Sequence, residues 1–247
     1  MRGTGHEPLV HLLVEDPDLM RGRSSDDRRI AERAFRAPVV NIDRARWSPP
    51  ECDPTATFGL IVLDGLLGRR VLIGRAVATE LPGAGDSLRP WDEPSGFHFI
   101  LPELSWRVFR TGRLAVIDER ITSLIGARPQ LLVAFSGRLL RRARTLAYLN
   151  AISHLPSVEQ KLETLLWHVA TTYGRVPRGV RIPFRLTHEV SGEIVGARRP
   201  SIMLAISRLQ ERGELIQDCA GWLLAGEPAA LATSRHRRTS ATSRRGM

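Results

Sequence analysis

About twenty-five residues, from Pro129 to Ser153, run without an internal proline. They place Leu131, Leu132, Phe135, Leu139, Leu146, Leu149 and Ile152 at steps of three, four and seven. That spacing lines apolar side chains along one stripe of a helix. The rest of its surface is arginine-rich, at Arg138, Arg141, Arg142 and Arg144. A helix this long needs a partner for its stripe. The two options are a sheet of its own chain and the same helix of a second copy, and the pattern favours the second.

The texture before this helix is different. Between Phe58 and Val116, short apolar runs alternate with glycine and proline: Gly59–Leu63, Arg70–Gly74, Val77–Leu81, Phe97–Leu101, Trp106–Phe109 and Arg113–Ile117. Strands bounded by turn residues at this spacing predict a compact antiparallel sandwich or roll. Pro82-Gly-Ala-Gly reads as a turn before Asp86. The first 45 or so residues are polar, with Arg/Asp clusters at Arg21–Arg29. They read as a short helix around Asp26–Arg36 within a loosely packed lead-in.

After the long helix, Ser157 followed by Gln160 fits a capping box for a helix over Val158–Tyr173. Leu162, Leu165, Leu166 and Val169 share one of its faces, and Gly174 stops it. Residues 227–247 hold almost no large apolar side chain and read as a disordered basic tail.

Composition narrows the function classes. Thirty-six basic residues against 26 acidic ones give a net charge of +10, which favours a polyanionic partner. Two cysteines, Cys52 and Cys219, exclude a four-cysteine zinc site or a four-thiolate iron–sulfur cluster within one chain. No apolar run approaches the ~18 residues of a membrane span. The N-terminus lacks a secretory pattern, so the expected location is cytoplasmic.

The segment from Leu186 to Trp222 is the most informative. Thr187 is a good N-cap for a helix running to Val195, and Gly196-Ala197 makes a break. A second helix runs from Arg198 to Arg212, and Gly213 opens a hairpin that turns between Asp218 and Gly221. Two short helices joined at glycine, with a trailing hairpin, make a winged helix-turn-helix. Gly192 sits where the first helix would approach the second, and Gly196 can take the positive φ of the turn. Val195, Ile202, Ala205, Ile206 and Leu209 can share one core. The opposite face of the second helix carries Pro200, Met203, Leu204, Ser207 and Arg208, with Arg199 at its shoulder. Such a helix fits the major groove of B-DNA, where arginine can reach guanine O6 and N7 with both fork nitrogens. Thr187 and the helix end beside it can hold a phosphate.

At these residues the chain resembles the Crp–Fnr family of bacterial transcription regulators. The likeness is strongest over 186–224, in Leu-Thr-His-Glu, Ile-Val-Gly-Ala-Arg-Arg-Pro-Ser and Gly-Trp-Leu-Leu. It extends back through the helices at 157–173 and 129–153, and more faintly to Glu80-Leu-Pro-Gly-Ala-Gly-Asp. The resemblance implies an α+β fold of three parts. These are an N-terminal β-roll like a cyclic-nucleotide-binding domain, a long dimerisation helix, and a C-terminal winged helix-turn-helix. It implies that Arg199 reads a base, that Pro200 and Leu204 face bases, and that Thr187 and Ser201 meet phosphate. Arg198 stands where relatives often have a capping serine, which trades helix stability for a phosphate contact. Ser191 replaces a usual buried apolar residue.

One departure concerns the sensor. The family's cyclic-nucleotide signature, a Gly-Glu pair followed by Arg-Ser/Thr, is absent between Leu81 and Val116. Cyclic AMP is therefore not the expected effector. His98 or another histidine could ligate a haem iron, but a lone strand histidine is more often structural. Asp86, Asp92 and Glu93 read as loop carboxylates rather than metal ligands, and Trp91 as a core residue. No cofactor and no metal is expected.

These readings divide the chain into a lead-in (1–45), a sensor-like roll (46–127), a dimerisation helix (128–155), a DNA-binding domain (156–226) and a tail (227–247). They describe a regulator, not an enzyme, that binds a roughly palindromic operator as a homodimer. The expected DNA-contacting residues are Thr187, Arg198, Arg199, Pro200, Ser201, Met203, Leu204 and Arg208. Double-stranded DNA and a second copy are the expected partners, with RNA polymerase a further candidate and no membrane. The alternative is an architectural DNA-binding protein with a vestigial sensor.

Overall fold

The computed structural model describes residues 9–20, 35–43, 47–53, 55–91, 102–174, 180–182, 184, 186–218 and 221–226. The chain divides into two units, residues 1–146 and 147–247. Among the described residues no helix is long and apolar enough to cross a membrane.

The first unit is an antiparallel roll. Its strands are β1 (Leu9–His11), β2 (Arg36–Ile42), β3 (Gly59–Ile73), β4 (Ala76–Glu80), β5 (Ser87–Leu88) and β6 (Glu103–Ile117). They pair in the order β1-β2-β6-β3-β4, with β5 also on β3. The frame is β3 against β6, paired from Gly59↔Ile117 to Leu72↔Glu103. Successive side chains of a strand point to opposite faces, and here both faces are covered. Ile61, Ala115 and Ile117 join a core with Leu12, Leu13, Leu19, Phe35, Ile121 and Phe135. Their neighbours Leu60, Val62, Leu114 and Val116 join a second core with Ile42, Trp47, Leu67 and Leu88. Burial on both sides explains why Gly59–Leu63 is a continuous apolar run rather than an alternating one. Trp91 packs against the second core, and its indole N–H donates to the Pro50 carbonyl at 2.8 Å.

Two expected strands, Gly59–Leu63 and Arg70–Gly74, are one strand. Gly65 does not end it. Register shifts lie between Val62 and Asp64, between Asp64 and Leu66, and between Leu66 and Leu67. Gly65 takes φ +100° there, and a Cβ on the opposing Gly112 would lie 2.2 Å from the Asp64 carbonyl oxygen. The glycines let the two backbones meet while the strand bends. Trp106–Phe109 and Arg113–Ile117 likewise belong to one strand, β6. Phe97–Leu101 lies outside the described residues.

Within the expected loosely packed lead-in, the described residues 9–20 and 35–43 are packed onto the roll. β1 pairs with β2, and β2 with β6. Leu12 in helix α1 (Leu12–Glu15), Leu19 in the 3-10 turn Pro17–Met20, and Phe35 are at most 2% exposed. The surrounding charged residues hid these few apolar anchors, whose partners lie on β3 and β6 some distance along the chain. Of the helix expected over Asp26–Arg36, residues up to 34 lie outside the described set, and Arg36 begins β2. The last strand of the roll ends at Ile117, and Ile121 and Ile125 of the helix that follows pack into the first core. Asp118 caps helix α2 (Glu119–Gly126), its carboxylate accepting from the Ile121 N–H at 2.9 Å.

Helix α3 runs Pro129–Ser153, as its spacing predicts, and the division between the units falls within it. Its apolar residues part into two faces. Leu131 and Phe135 are buried on the roll, while Leu132, Val133, Leu139, Leu140 and Tyr148 are exposed. Arg138 is also on the buried face. It is 3% exposed, bonded to the Gly85 carbonyl and to Asp16. One turn further on, Arg142 pairs with Glu80.

The turn before Asp86 is as expected. Asp86 N–H donates to the Gly83 carbonyl and its carboxylate accepts from the Gly83 N–H, both at 2.9 Å. Burial raises the Asp86 carboxyl pKa, against the pull of that N–H and of Arg142.

The second unit holds the end of α3, then α4 (Val158–Tyr173), β7 (Val180–Ile182), α5 (His188–Val195), α6 (Arg199–Glu211), β8 (Leu215–Asp218) and β9 (Gly221–Leu224). The Ser157 hydroxyl accepts from the Gln160 N–H at 3.1 Å, as the capping motif predicts. Gly174 ends α4, but not through a left-handed residue: its φ is −83° and its ψ 152°. Space requires glycine there. A Cβ would lie 2.2 Å from the Ala170 carbonyl oxygen and 2.7 Å from that of Arg181. The expected tail, 227–247, lies outside the described residues.

Candidate nucleic-acid interface

Helices α5 and α6 are joined by a turn that two glycines make possible. Gly196 is left-handed, at φ 68° and ψ 40°. The Ala197 N–H donates back to the Gly192 carbonyl at 2.9 Å, closing the end of α5. A Cβ on Gly192 would lie 2.4 Å from the Ala197 carbonyl oxygen and 3.6 Å from Ile202 Cγ1. The small residue thus makes room for the turn itself, and only secondarily for α6.

Val190 and Val195 of α5 and Ile202, Ala205, Ile206 and Leu209 of α6 are buried. Helix α4 packs on α5 and α6, and β8 follows α6. Ser191 is fully buried, and its hydroxyl finds no hydrogen-bond partner among the described residues. The sheet beside the helices has three strands, ordered β7-β9-β8. The hairpin was legible in the sequence. β7 was not, being three residues long and paired with Trp222–Leu224 some forty positions on.

With Ile202 and Leu209 turned inward, α6 presents the opposite side to solvent. Arg199, Pro200, Ser201, Met203, Leu204, Ser207 and Arg208 are all exposed. Met203 is 47% and Leu204 54% exposed. Arg198 is the N-cap residue, extended and without a side-chain capping bond. No ion pair holds Arg198 or Arg199 among the described residues. Pro200 sits in the first turn, where a missing N–H costs no helical bond. Thr187 is exposed at the start of α5, its hydroxyl oxygen accepting from the Val190 N–H at 3.3 Å. That use leaves the hydroxyl proton available as a donor. The expected residues of α6 therefore share one exposed face, with Thr187 at the cap of the preceding helix.

Arg208 differs from Arg199. Its guanidinium lies 3.7 Å from Glu159 of α4. Arg212, one turn further on, pairs with Glu159 and with Glu214. These carboxylates hold the Arg212 pKa above even the usual arginine range. Glu159 and Arg212 went unnoticed in the sequence because 53 positions separate them, and no spacing rule links them. His188 faces the Trp222 ring at 6.4 Å with a 27° interplanar angle.

No family model and no curated protein matches the sequence. Solved structures do. FixK2 from Bradyrhizobium japonicum aligns over 80% of this chain and 96% of its own, at 14% identity and a TM-score of 0.62. CLP, the c-di-GMP-responsive global regulator of Xanthomonas campestris, aligns over 77% of this chain and 95% of its own, at 17% identity and a TM-score of 0.57. TTHA1359 of Thermus thermophilus, a transcriptional regulator of the CRP/FNR family, aligns over 76% and 93%, at 18% identity and a TM-score of 0.52. Across most of its length, from the roll through the long helix to the winged helix-turn-helix, this chain has the α+β fold of the Crp/Fnr regulators.

Proposed function

We propose that this protein is a sequence-specific, DNA-binding transcription regulator that binds a roughly two-fold operator as a homodimer. One observation carries the reading. Helix α6 buries Ile202, Ala205, Ile206 and Leu209 and turns Arg199, Pro200, Met203 and Leu204 outward. A helix so mounted can enter the major groove, with Arg199 donating both fork nitrogens to guanine O6 and N7. Arg198, Ser201 and the Thr187 hydroxyl supply phosphate contacts that fix its register. Arg208 joins them once freed from Glu159. The net charge of +10 adds a favourable, salt-sensitive term.

The homodimer is supported by the outer face of α3. Leu132 and Leu139, like Val133 and Leu140, are seven positions apart and exposed. Such a repeat suits pairing with its own copy. Two copies would offer recognition helices about one DNA turn, ~34 Å, apart. The missing phosphate-binding signature argues against cyclic AMP as the effector.

Selection from a random DNA pool tests this, using wild type and Arg199→Ala at two salt concentrations. A palindromic motif is expected. The variant should lose preference at one symmetric base pair, by about 1–3 kcal/mol per contact. If wild type enriches nothing and both proteins bind with the same salt slope, operator reading fails, and an architectural role takes its place.

A further inference from the structure

The exposed face of α6 is apolar along its centre. At about 100° per residue, Pro200, Met203, Leu204 and Ser207 form one ridge opposite the buried Leu209. Pro200 has no N–H. Met203 and Leu204 carry no strong hydrogen-bonding group, and both stand about half exposed. Ser207 spends its hydroxyl on its own helix, donating to the Met203 carbonyl at 3.2 Å. The polar side chains lie on the flanks: Arg199 on one side, Ser201 and Arg208 on the other. No acidic residue occurs on α6 before Glu211. An apolar protein partner would meet these arginines as charges to be desolvated, whereas a polyanion meets them as counter-charges.

Of the groups displayed in the major groove, one is apolar: the 5-methyl of thymine, which 5-methylcytosine also carries. We propose that the ridge Pro200–Met203–Leu204 reads pyrimidine 5-methyl groups. The preferred half-site then holds methylated pyrimidines beside the base pair contacted by Arg199. This rests on α6 being the recognition helix and adds what its centre recognises. Hydrogen-bond readout falls to Arg199, and discrimination by the ridge depends on a methyl group rather than on a donor or acceptor.

The test uses the full-length protein and duplexes carrying the half-site found by selection. Each thymine is replaced in turn by uracil, which removes the methyl and leaves the pairing edge intact. Affinity is read by fluorescence anisotropy for wild type, Met203→Ala and Leu204→Ala. Uracil at one or two positions should weaken wild-type binding about three- to fivefold, the weight of roughly one buried methyl group. At least one of the two variants should no longer respond to that replacement. A cytosine placed at such a position should gain affinity on 5-methylation.

If uracil is neutral at every position, or the half-site has no thymine within reach of the ridge, methyl reading is overturned. The role of α6 survives that outcome if Arg199→Ala still loses its base preference. If both ridge variants bind and discriminate like wild type, the ridge faces something other than DNA, and the proposal fails. If selection returns no motif, the recognition reading itself fails and takes this inference with it.

Discussion

The guanidinium of Arg138, deep against the roll, lies 2.5 Å from the carboxylate of Asp16. The contact ties the long helix to an N-terminal segment more than a hundred residues earlier in the chain. It does not fully satisfy the carboxylate. The second Asp16 oxygen is buried without a partner among the described residues. Burial raises the Asp16 pKa, and Arg138 opposes that rise only in part. Arg138→Met would leave Asp16 buried and unpaired, and should destabilise the roll by about 3–5 kcal/mol. Asp16→Leu combined with Arg138→Met should recover most of that loss. Urea unfolding followed by tryptophan fluorescence measures both, and a double variant no better than the single one would show that the pair is not the cause.

His168 gives the second unit a pH dependence. Desolvation lowers its pKa below the ordinary value of 6.5. The unfolded chain therefore takes up a proton at a pH where the folded chain does not. Stability from this group is complete above about pH 6.5 and is lost as the pH falls from there toward the folded pKa. The ring lies 5.1 Å from that of Tyr148. His168→Phe keeps an aromatic contact and removes the titration. Melting curves from pH 7.5 to 5 should slope less for this variant than for wild type.

The glycines flanking the turn of the helix-turn-helix should fail for different reasons. Gly192→Ala forces a methyl to within 2.4 Å of the Ala197 carbonyl oxygen, with an overpacking cost of about 1–3 kcal/mol. Around Gly196 there is open space. Gly196→Ala meets only the left-handed backbone penalty, about 1–2 kcal/mol. Gly196→Asn should cost less than Gly196→Ala, because asparagine tolerates that region. Asparagine should not rescue Gly192. Thermal melts of the four single variants separate space from conformation.

Glu159 competes with DNA for arginines of α6, if α6 is the recognition helix. It holds Arg212 and approaches Arg208. Glu159→Gln should therefore tighten binding to a selected operator several-fold at low salt and steepen the salt dependence. Anisotropy titrations over a range of salt concentration check both effects. Equal slopes for the variant and wild type would place these arginines away from the phosphates.

The helical half of the chain was largely readable. The proline-free leucine repeat marked α3 over 129–153, and Ser157 and Thr187 marked the starts of α4 and α5, because these signals are local. Helix α6 differs from its expected span only at its ends, where Arg198 and Arg212 are cap residues. The N-terminal segment was not readable. Leu12, Leu19 and Phe35 have no shared period, and they acquire partners only when β2 reaches β6. Bends also mislead. Gly65 looks like a strand break, yet it lets β3 continue around the roll. On the candidate DNA-binding face, exposure of Met203 and Leu204 could be read from helical phase. The hold of Glu159 on Arg208 and Arg212 required the fold.

Leu131, Phe135, Arg138 and Arg142 sit at intervals of four, three and four along α3, so they form one ridge against the roll. An apolar ridge alone could roll over its neighbours at modest cost. Arg138 removes that freedom, because any turn about the helix axis withdraws its guanidinium from both Gly85 and Asp16. The helix is keyed like a shaft in a slotted hub. The azimuth of Leu132 and Leu139, on the exposed side, is set by the turn at Gly85 and the carboxylate of Asp16.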